Sequence, residues 1–122
     1  MSRGSPLVAV VDDDEAIRKA LSRVLRACDF DVEGFCSGQA FLNALPEIHP
    51  DCVLLDLHMP DMDGLEVLRE LHSRAFKAPV IVITAHDEPG VRAYCLATGV
   101  SAYLSKPIDR SVLQQAITDA VR

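Results

Sequence analysis

Asp12, Asp13, Asp56, Thr84 and Lys106 are the residues of this 122-residue chain whose types and placement point to chemistry. Each stands at or just beyond the end of a short apolar run. "LVAVV" (7–11) leads into Asp12 and Asp13, "CVLLD" (52–56) ends in Asp56, "PVIVIT" (79–84) ends in Thr84, and "AYLS" (102–105) leads into Lys106. A carboxylate beside a buried run is costly unless it is solvated, paired or bound to a metal. Brought together, three carboxylates repel, and at least one has its pKa raised unless a cation sits among them. Lys106 alone is insufficient for three charges. A hard divalent ion fits better: carboxylates, a carbonyl and waters suit Mg²⁺ or Mn²⁺, and the lack of clustered His or Cys in the sequence argues against zinc. Such an ion keeps positions open, and its usual added ligand is a phosphate. Thr84 offers a hydroxyl donor and Lys106 a positive charge for the same phosphoryl oxygens. Asp56 then reads as a nucleophile toward phosphorus, because carboxylates can carry phosphoryl groups as aspartyl phosphates.

A sheet must hold these residues together. Residues 7–11 form a continuous apolar run, the mark of a strand covered on both faces. Asp14 caps a helix whose stripe reads Ile17, Ala20, Leu21, Val24, Leu25, Cys28. "DVEGF" (31–35) is a weaker strand, expected at an edge. Ser37 caps a brief helix carrying Ala40, Phe41, Ala44 and Leu45 and stopping near Pro46. The third strand, 52–56, is followed by a loop with Pro60 and Gly64 and a helix carrying Leu65, Val67, Leu68 and Leu71. The fourth strand, 79–84, is the most β-branched. A helix from about Glu88 to Thr98 ends at Gly99, the fifth strand is 102–105, and Asp109 caps a last helix with Val112, Leu113, Ala116, Ile117 and Ala120. Strands alternating with helices make βαβ units, hence an α/β fold with a mostly parallel sheet between helical layers. The flavodoxin-like, doubly wound order 2-1-3-4-5 is the expected topology, and it lines up all the strand ends on one edge.

The chain length fits one domain, taken as 1–122 with an N-terminal tail over 1–6. Twelve basic against eighteen acidic residues leave a net charge of -6, which argues against direct nucleic-acid binding as the main activity. "MSRGSP" has no apolar core of a secretory signal, and no run is long enough to span a bilayer, so no membrane association is expected. Cys28, Cys36, Cys52 and Cys95 contain no CxxC pair and are expected as reduced thiols of a cytoplasmic protein.

The ordered set "VAVVDDDEAIR", "LLDLHMPDMDG", "VIVITAH" and "YLSKP" resembles the receiver domain of bacterial two-component response regulators, most like those of the FixJ and NarL type that precede helix-turn-helix output domains. The resemblance covers essentially the whole chain. It implies that Asp56 is the phosphoacceptor for a sensor histidine kinase. It further implies that Asp13 ligates Mg²⁺ directly and Asp12 largely through water, with Asp56 and the His58 backbone carbonyl completing the protein ligands. Thr84 would bond the phosphoryl group and move toward it, Lys106 would pair with the phosphate, and Tyr103 would act as the aromatic switch, turning from outside to inside. The Lys106–Pro107 bond matches one that is cis in the family. His58 and His86 flank the site as modulators of phosphate lifetime, not as side-chain metal ligands, and the small Ala85 leaves access for a donor. The face built by the fourth helix, fifth strand and fifth helix would reach an output domain or target, or form a phosphorylation-dependent homodimer. Transcription regulation is the implied output; a free-standing receiver, a hybrid-kinase receiver and a phosphorylation-independent pseudo-receiver are the alternatives. The chain is expected to be a switch that catalyses only its own phosphorylation and dephosphorylation.

Other classes fit less well. An aspartyl-phosphate phosphatase needs D-x-D-x-[TV] after the first strand, but "DDDEA" places Ala16 there. A flavin carrier needs a Gly, Ser and Thr-rich phosphate loop where "VDDDE" stands. Asp14 and Glu15 read as helix-start residues, Asp61 and Asp63 as a turn with Gly64, and His49 and His72 as surface residues.

Overall fold

The computed structural model describes residues 4–45 and 47–122; residues 1–3 of the expected tail, and Pro46 as the stop of the second helix, lie outside the described residues. Ten elements alternate: β1 (Leu7–Val11), α1 (Glu15–Ala27), β2 (Asp31–Phe35), α2 (Gly38–Ala44), β3 (Cys52–Asp56), α3 (Gly64–Ser73), β4 (Val80–Thr84), α4 (Pro89–Ala97), β5 (Ala102–Ser105) and α5 (Arg110–Val121). The strands form one parallel sheet of order β2-β1-β3-β4-β5, as expected, with β2 at an edge.

The apolar runs alternate between two cores. Val8, Val10, Cys52, Leu54, Ile81 and Ile83 face Leu21, Leu25, Leu113 and Ile117 of α1 and α5. Ala9, Val11, Val53, Leu55 and Val82 face Phe41, Val67, Leu71 and Cys95 of α2, α3 and α4. A strand buried on both faces is apolar along its length, which is why β3 and β4 show no alternation before the buried Asp56 and Thr84 that end them. Each fully buried aliphatic side chain contributes about 1.5–3 kcal/mol of transfer free energy.

Local signals set the helix starts. The Asp14 carboxylate accepts from the N–H groups of Ala16 and Ile17, and the Ser37 hydroxyl from Ala40 N–H. Asp63, assigned from sequence to a turn, closes a reciprocal capping box with Glu66 that opens α3. Asp61 does sit in that turn, with φ +68°. Helix α4 is shorter than the 88–98 expected: Pro89 fits the first helical position, Glu88 and Thr98 become its caps, and Gly99 follows at φ +95°. Strand β4 begins at Val80, so Pro79 precedes it. Two stripe residues face water, Ala20 of α1 and Val112 of α5, the latter 49% exposed. All four cysteines are free. Among the described residues no helix is long and apolar enough to cross a membrane.

Candidate functional site

Backbone pairing fixes where the polar residues meet. Val11 pairs with Leu55, Asp56 with Ile83, and Thr84 with Ser105, so the chain leaves β1, β3, β4 and β5 along one edge. Asp12 N–H donates to Phe35 carbonyl at 3.1 Å, Leu57 N–H to Ile83 carbonyl at 3.2 Å, and Lys106 N–H to Thr84 carbonyl at 2.7 Å. The ladder thus carries one step past each strand end and holds the polar residues on rigid main chain. The Lys106–Pro107 bond is cis.

Asp12, Asp56 and Thr84 are the buried polar or charged residues of the described chain. The Lys106 ammonium lies 3.0 Å from Asp12 Oδ2 and 3.4 Å from Asp56 Oδ1. Asp13 is exposed, yet one carboxylate oxygen from each of Asp12, Asp13 and Asp56 lies within 4.8 Å of the others. Asp12 Oδ1 accepts from Asp14 N–H at 2.9 Å, and the Arg18 guanidinium donates to Asp12 carbonyl at 2.7 Å.

Burial, and then the neighbouring Asp12 carboxylate, push the Asp56 carboxyl above its ordinary range; Lys106 and the His58 N–H offset this only in part. For Lys106, burial alone would lower the pKa, but its contacts with Asp12 and Asp56 outweigh it and raise the value, so the ammonium stays charged. The site therefore holds one cation against three carboxylates. An all-oxygen donor set with excess negative charge fits a hard divalent ion. Mg²⁺–oxygen distances of about 2.0–2.1 Å put its ligand oxygens about 3–4 Å apart, so a small side-chain adjustment within this cluster suffices.

Thr84 is fully buried, and its hydroxyl is engaged with His86, accepting from the backbone N–H at 3.1 Å and donating to the carbonyl at 3.2 Å. Ala85 beside it is exposed. His58 contributes its backbone N–H toward Asp56. The imidazoles of His58 and His86 meet edge to face, with centroids 5.1 Å apart.

Tyr103 is buried at 6% exposure, with the Arg92 guanidinium 5.2 Å from its ring centroid. Burial, then the Asp87 carboxylate, raise the pKa of its hydroxyl, which lies near the Glu88 backbone. Arg92 also pairs with Asp87 at 3.7 Å, and Ser105 donates to the same carboxylate. Sequence reasoning missed this Arg92–Asp87–Tyr103 group, the Arg18 bond and the meeting of the two histidines. Only the Asp63-x-x-Glu66 spacing of the capping box was there to be read.

Residues 8–118 match the family model described as the response regulator receiver domain. The transcriptional regulatory protein FixJ of Bradyrhizobium diazoefficiens is 33% identical over 115 residues, covering 94% of this chain and 56% of that protein. The response regulator MprA of Mycolicibacterium vanbaalenii is 41% identical over 100 residues, 82% of this chain and 43% of that one. A crystal structure of a response regulator receiver protein from Burkholderia phymatum superposes with a TM-score of 0.85 at 41% identity, covering 96% of this chain and 95% of that one. The chain thus spans about half the length of the two curated relatives described.

Proposed function

This chain belongs to the response regulator receiver domain family of two-component signalling, and from that premise we propose that it is a phosphorylation-controlled switch with Asp56 as phosphoacceptor. An Asp56 carboxylate oxygen attacks the phosphorus of a phosphohistidine on a sensor histidine kinase. The P–O bond forms as the P–N bond breaks, the electron pair leaves with the donor imidazole, and an aspartyl phosphate remains. Asp13 and Asp56, with the His58 backbone carbonyl and Asp12 largely through water, would hold Mg²⁺ or Mn²⁺, which when bound supplies positive charge to the phosphoryl oxygens. Lys106 lies 3.4 Å from Asp56 and turns toward the new phosphate. The Thr84 hydroxyl releases His86 and bonds the phosphoryl group. The observation that carries this reading is the buried Asp56, disfavoured as an anion yet held within reach of a charged ammonium at the end of a rigid strand.

Movement of Thr84 frees space beside β5, and Tyr103 with its Arg92 contact transmits the change to α4. The face of α4, β5 and α5 exposes Leu96, one turn after the Arg92 that covers Tyr103, and Val112, an apolar surface for an output domain, a target protein or a second copy. The partial coverage of relatives named as transcriptional regulators supports a receiver of a longer transcription factor acting in the cytoplasm; a free-standing or hybrid-kinase receiver has the same site. The domain itself, taken as residues 1–122, contacts neither nucleic acid nor membrane in this reading.

Intact mass after incubation with acetyl phosphate tests it. One added phosphate is expected on the wild type only with Mg²⁺, and none on Asp56→Asn. Undiminished labelling of Asp56→Asn would sink the assignment, and labelling that survives chelation would remove the metal role.

A further inference from the structure

His58 and His86 are remote in sequence and meet only because β3 and β4 are neighbours in the sheet. Both are exposed, and their ring planes cross at 86°. Each imidazole hangs from a backbone segment tied to a residue of the site. The His58 N–H faces the Asp56 carboxylate, and the His86 backbone exchanges two hydrogen bonds with the Thr84 hydroxyl.

The spacing has a chemical meaning. Imidazole nitrogens bind zinc at about 2.0–2.1 Å, which places each ring centroid about 3.2 Å from the ion; a tetrahedral angle between two such rings sets their centroids about 5 Å apart. The rings here are 5.1 Å apart. In the edge-to-face contact the two nitrogens do not converge on one point as they stand, so an ion would be reached by turning the imidazoles about their side-chain bonds. The expectation against zinc concerns the oxygen donors of the carboxylate cluster, and the resemblance reads His58 and His86 as modulators rather than ligands; the fold nevertheless brings their rings together away from that cluster. Donor softness separates this position from the carboxylate cluster: imidazole suits Zn²⁺, Ni²⁺ and Cu²⁺, while carboxylates suit Mg²⁺. Among the described residues no third His, Cys or carboxylate joins the pair within ligand distance, so the remaining coordination positions belong to water or an incoming oxygen.

We infer that His58 and His86 form a two-imidazole chelate for a borderline transition-metal ion of the Zn²⁺ class, at the rim of the Asp56 pocket and separate from the carboxylate cluster. A filled chelate immobilises the segments that carry the Asp56 and Thr84 contacts. On the phosphoacceptor reading, this slows phosphoryl transfer to Asp56.

The test is a zinc chloride titration of the chain in excess Mg²⁺, followed by heteronuclear NMR of the imidazoles. His58 and His86 resonances should shift together and saturate at one equivalent while His49 and His72 stay in place. In His86→Gln, a substitution at an exposed position, the saturable His58 shift should be lost. Equal shifts at all four histidines, a His58 shift that survives in His86→Gln, or no shift once Mg²⁺ is in excess would each overturn the chelate. In the labelling assay with Mg²⁺, one equivalent of zinc should slow acetyl phosphate labelling several-fold in the wild type and not in His86→Gln; unslowed wild type overturns the gating. No labelling of the zinc-free wild type would refute the phosphoacceptor reading instead, and the NMR result would still decide the chelate.

Discussion

Replacing Gly64 by alanine should destabilise the protein and slow its chemistry together. Gly64 opens α3 and donates its N–H to Leu57 carbonyl at 3.0 Å. A Cβ at this position would lie 2.6 Å from the Asp56 carbonyl oxygen, 2.7 Å from Leu57 Cα and 2.8 Å from Leu57 Cδ2. The two shortest contacts are main chain, so no side-chain rotation relieves them. Ordinary contact begins near 3.4 Å, so the end of β3 or the start of α3 must move by about 0.8 Å. Against this, the Gly→Ala change stabilises by about 0.4–1 kcal/mol through the unfolded chain. Overpacking costs about 1–3 kcal/mol, and a main-chain obstacle puts the cost at the upper end. The net expectation is a loss of about 2 kcal/mol, or about 8 °C in Tm for a chain of this size. The segment forced to move carries Asp56 itself, and a misplacement near 1 Å costs reacting groups about 100-fold. Urea and thermal unfolding read the first effect, and the rate of acetyl phosphate labelling under folded conditions reads the second. An unchanged or raised Tm would refute the packing argument. A destabilised variant that labels at the wild-type rate would refute the claim that this contact positions Asp56.

Removing the ammonium with Lys106→Met leaves Asp12 and Asp56 buried without their partner; a loss of about 3 kcal/mol is expected without divalent ions, largely regained with Mg²⁺. Equal Mg²⁺-induced shifts of Tm in variant and wild type would contradict this. Asp56→Asn should be more stable than wild type at neutral pH, because it removes a carboxylate that burial and Asp12 disfavour as an anion. The folded-state pKa of Asp56 is raised, so its charge destabilises the native state above that pKa. The variant's advantage should shrink as pH falls through the raised value and vanish below the ordinary carboxylate range; a pH-independent difference in urea midpoint would contradict the sign. Asp63→Ala removes one arm of the capping box, in which Asp63 and Glu66 hold each other's backbone N–H at 3.0 and 2.9 Å. It should cost about 1 kcal/mol, and an unchanged urea midpoint would count against the cap.

The layout of the fold was legible because its signals are local and repeated. Four apolar runs that end in or lead into a polar residue, one weaker edge strand and the helical stripes between them leave a parallel sheet as the simplest way to bury them. Parallel strands then send Asp12, Asp56, Thr84 and Lys106 to one edge whatever the details of packing. What failed was the width and ends of stripes. Val112 and Leu113 are adjacent, and only packing against the sheet decides that Leu113 and Ile117, one turn apart, are covered while Val112 faces water. At Gly64 the letter signals a turn, whereas the structural reason for it is a close approach to Asp56, a residue of another element. The histidine pair is wholly non-local: neither residue shows a metal-ligand spacing, and only the β3–β4 pairing brings the rings together.

Sequence could also not tell which carboxylate holds Lys106, and that distinction bears on how the site switches. The ammonium is nearer Asp12, at 3.0 Å, than Asp56, at 3.4 Å. At an effective dielectric constant of about 20, Coulomb's law makes these two contacts differ by about 0.6 kcal/mol, comparable to thermal energy. The preference is therefore shallow. Lys106 N–H is fixed to Thr84 carbonyl at 2.7 Å, so the main chain stays in place while the flexible stem swings the charge between partners. On the phosphoacceptor reading, a phosphoryl group arriving on Asp56 carries more negative charge than the carboxylate it modifies, and it can draw the ammonium away from Asp12 at small cost. Asp56, left only partly compensated in the meantime, keeps its raised pKa, which on that reading supplies basicity to the attacking carboxylate. Rigid strand ends and one loosely committed cation would together let a site be prearranged for phosphoryl transfer and still respond to it.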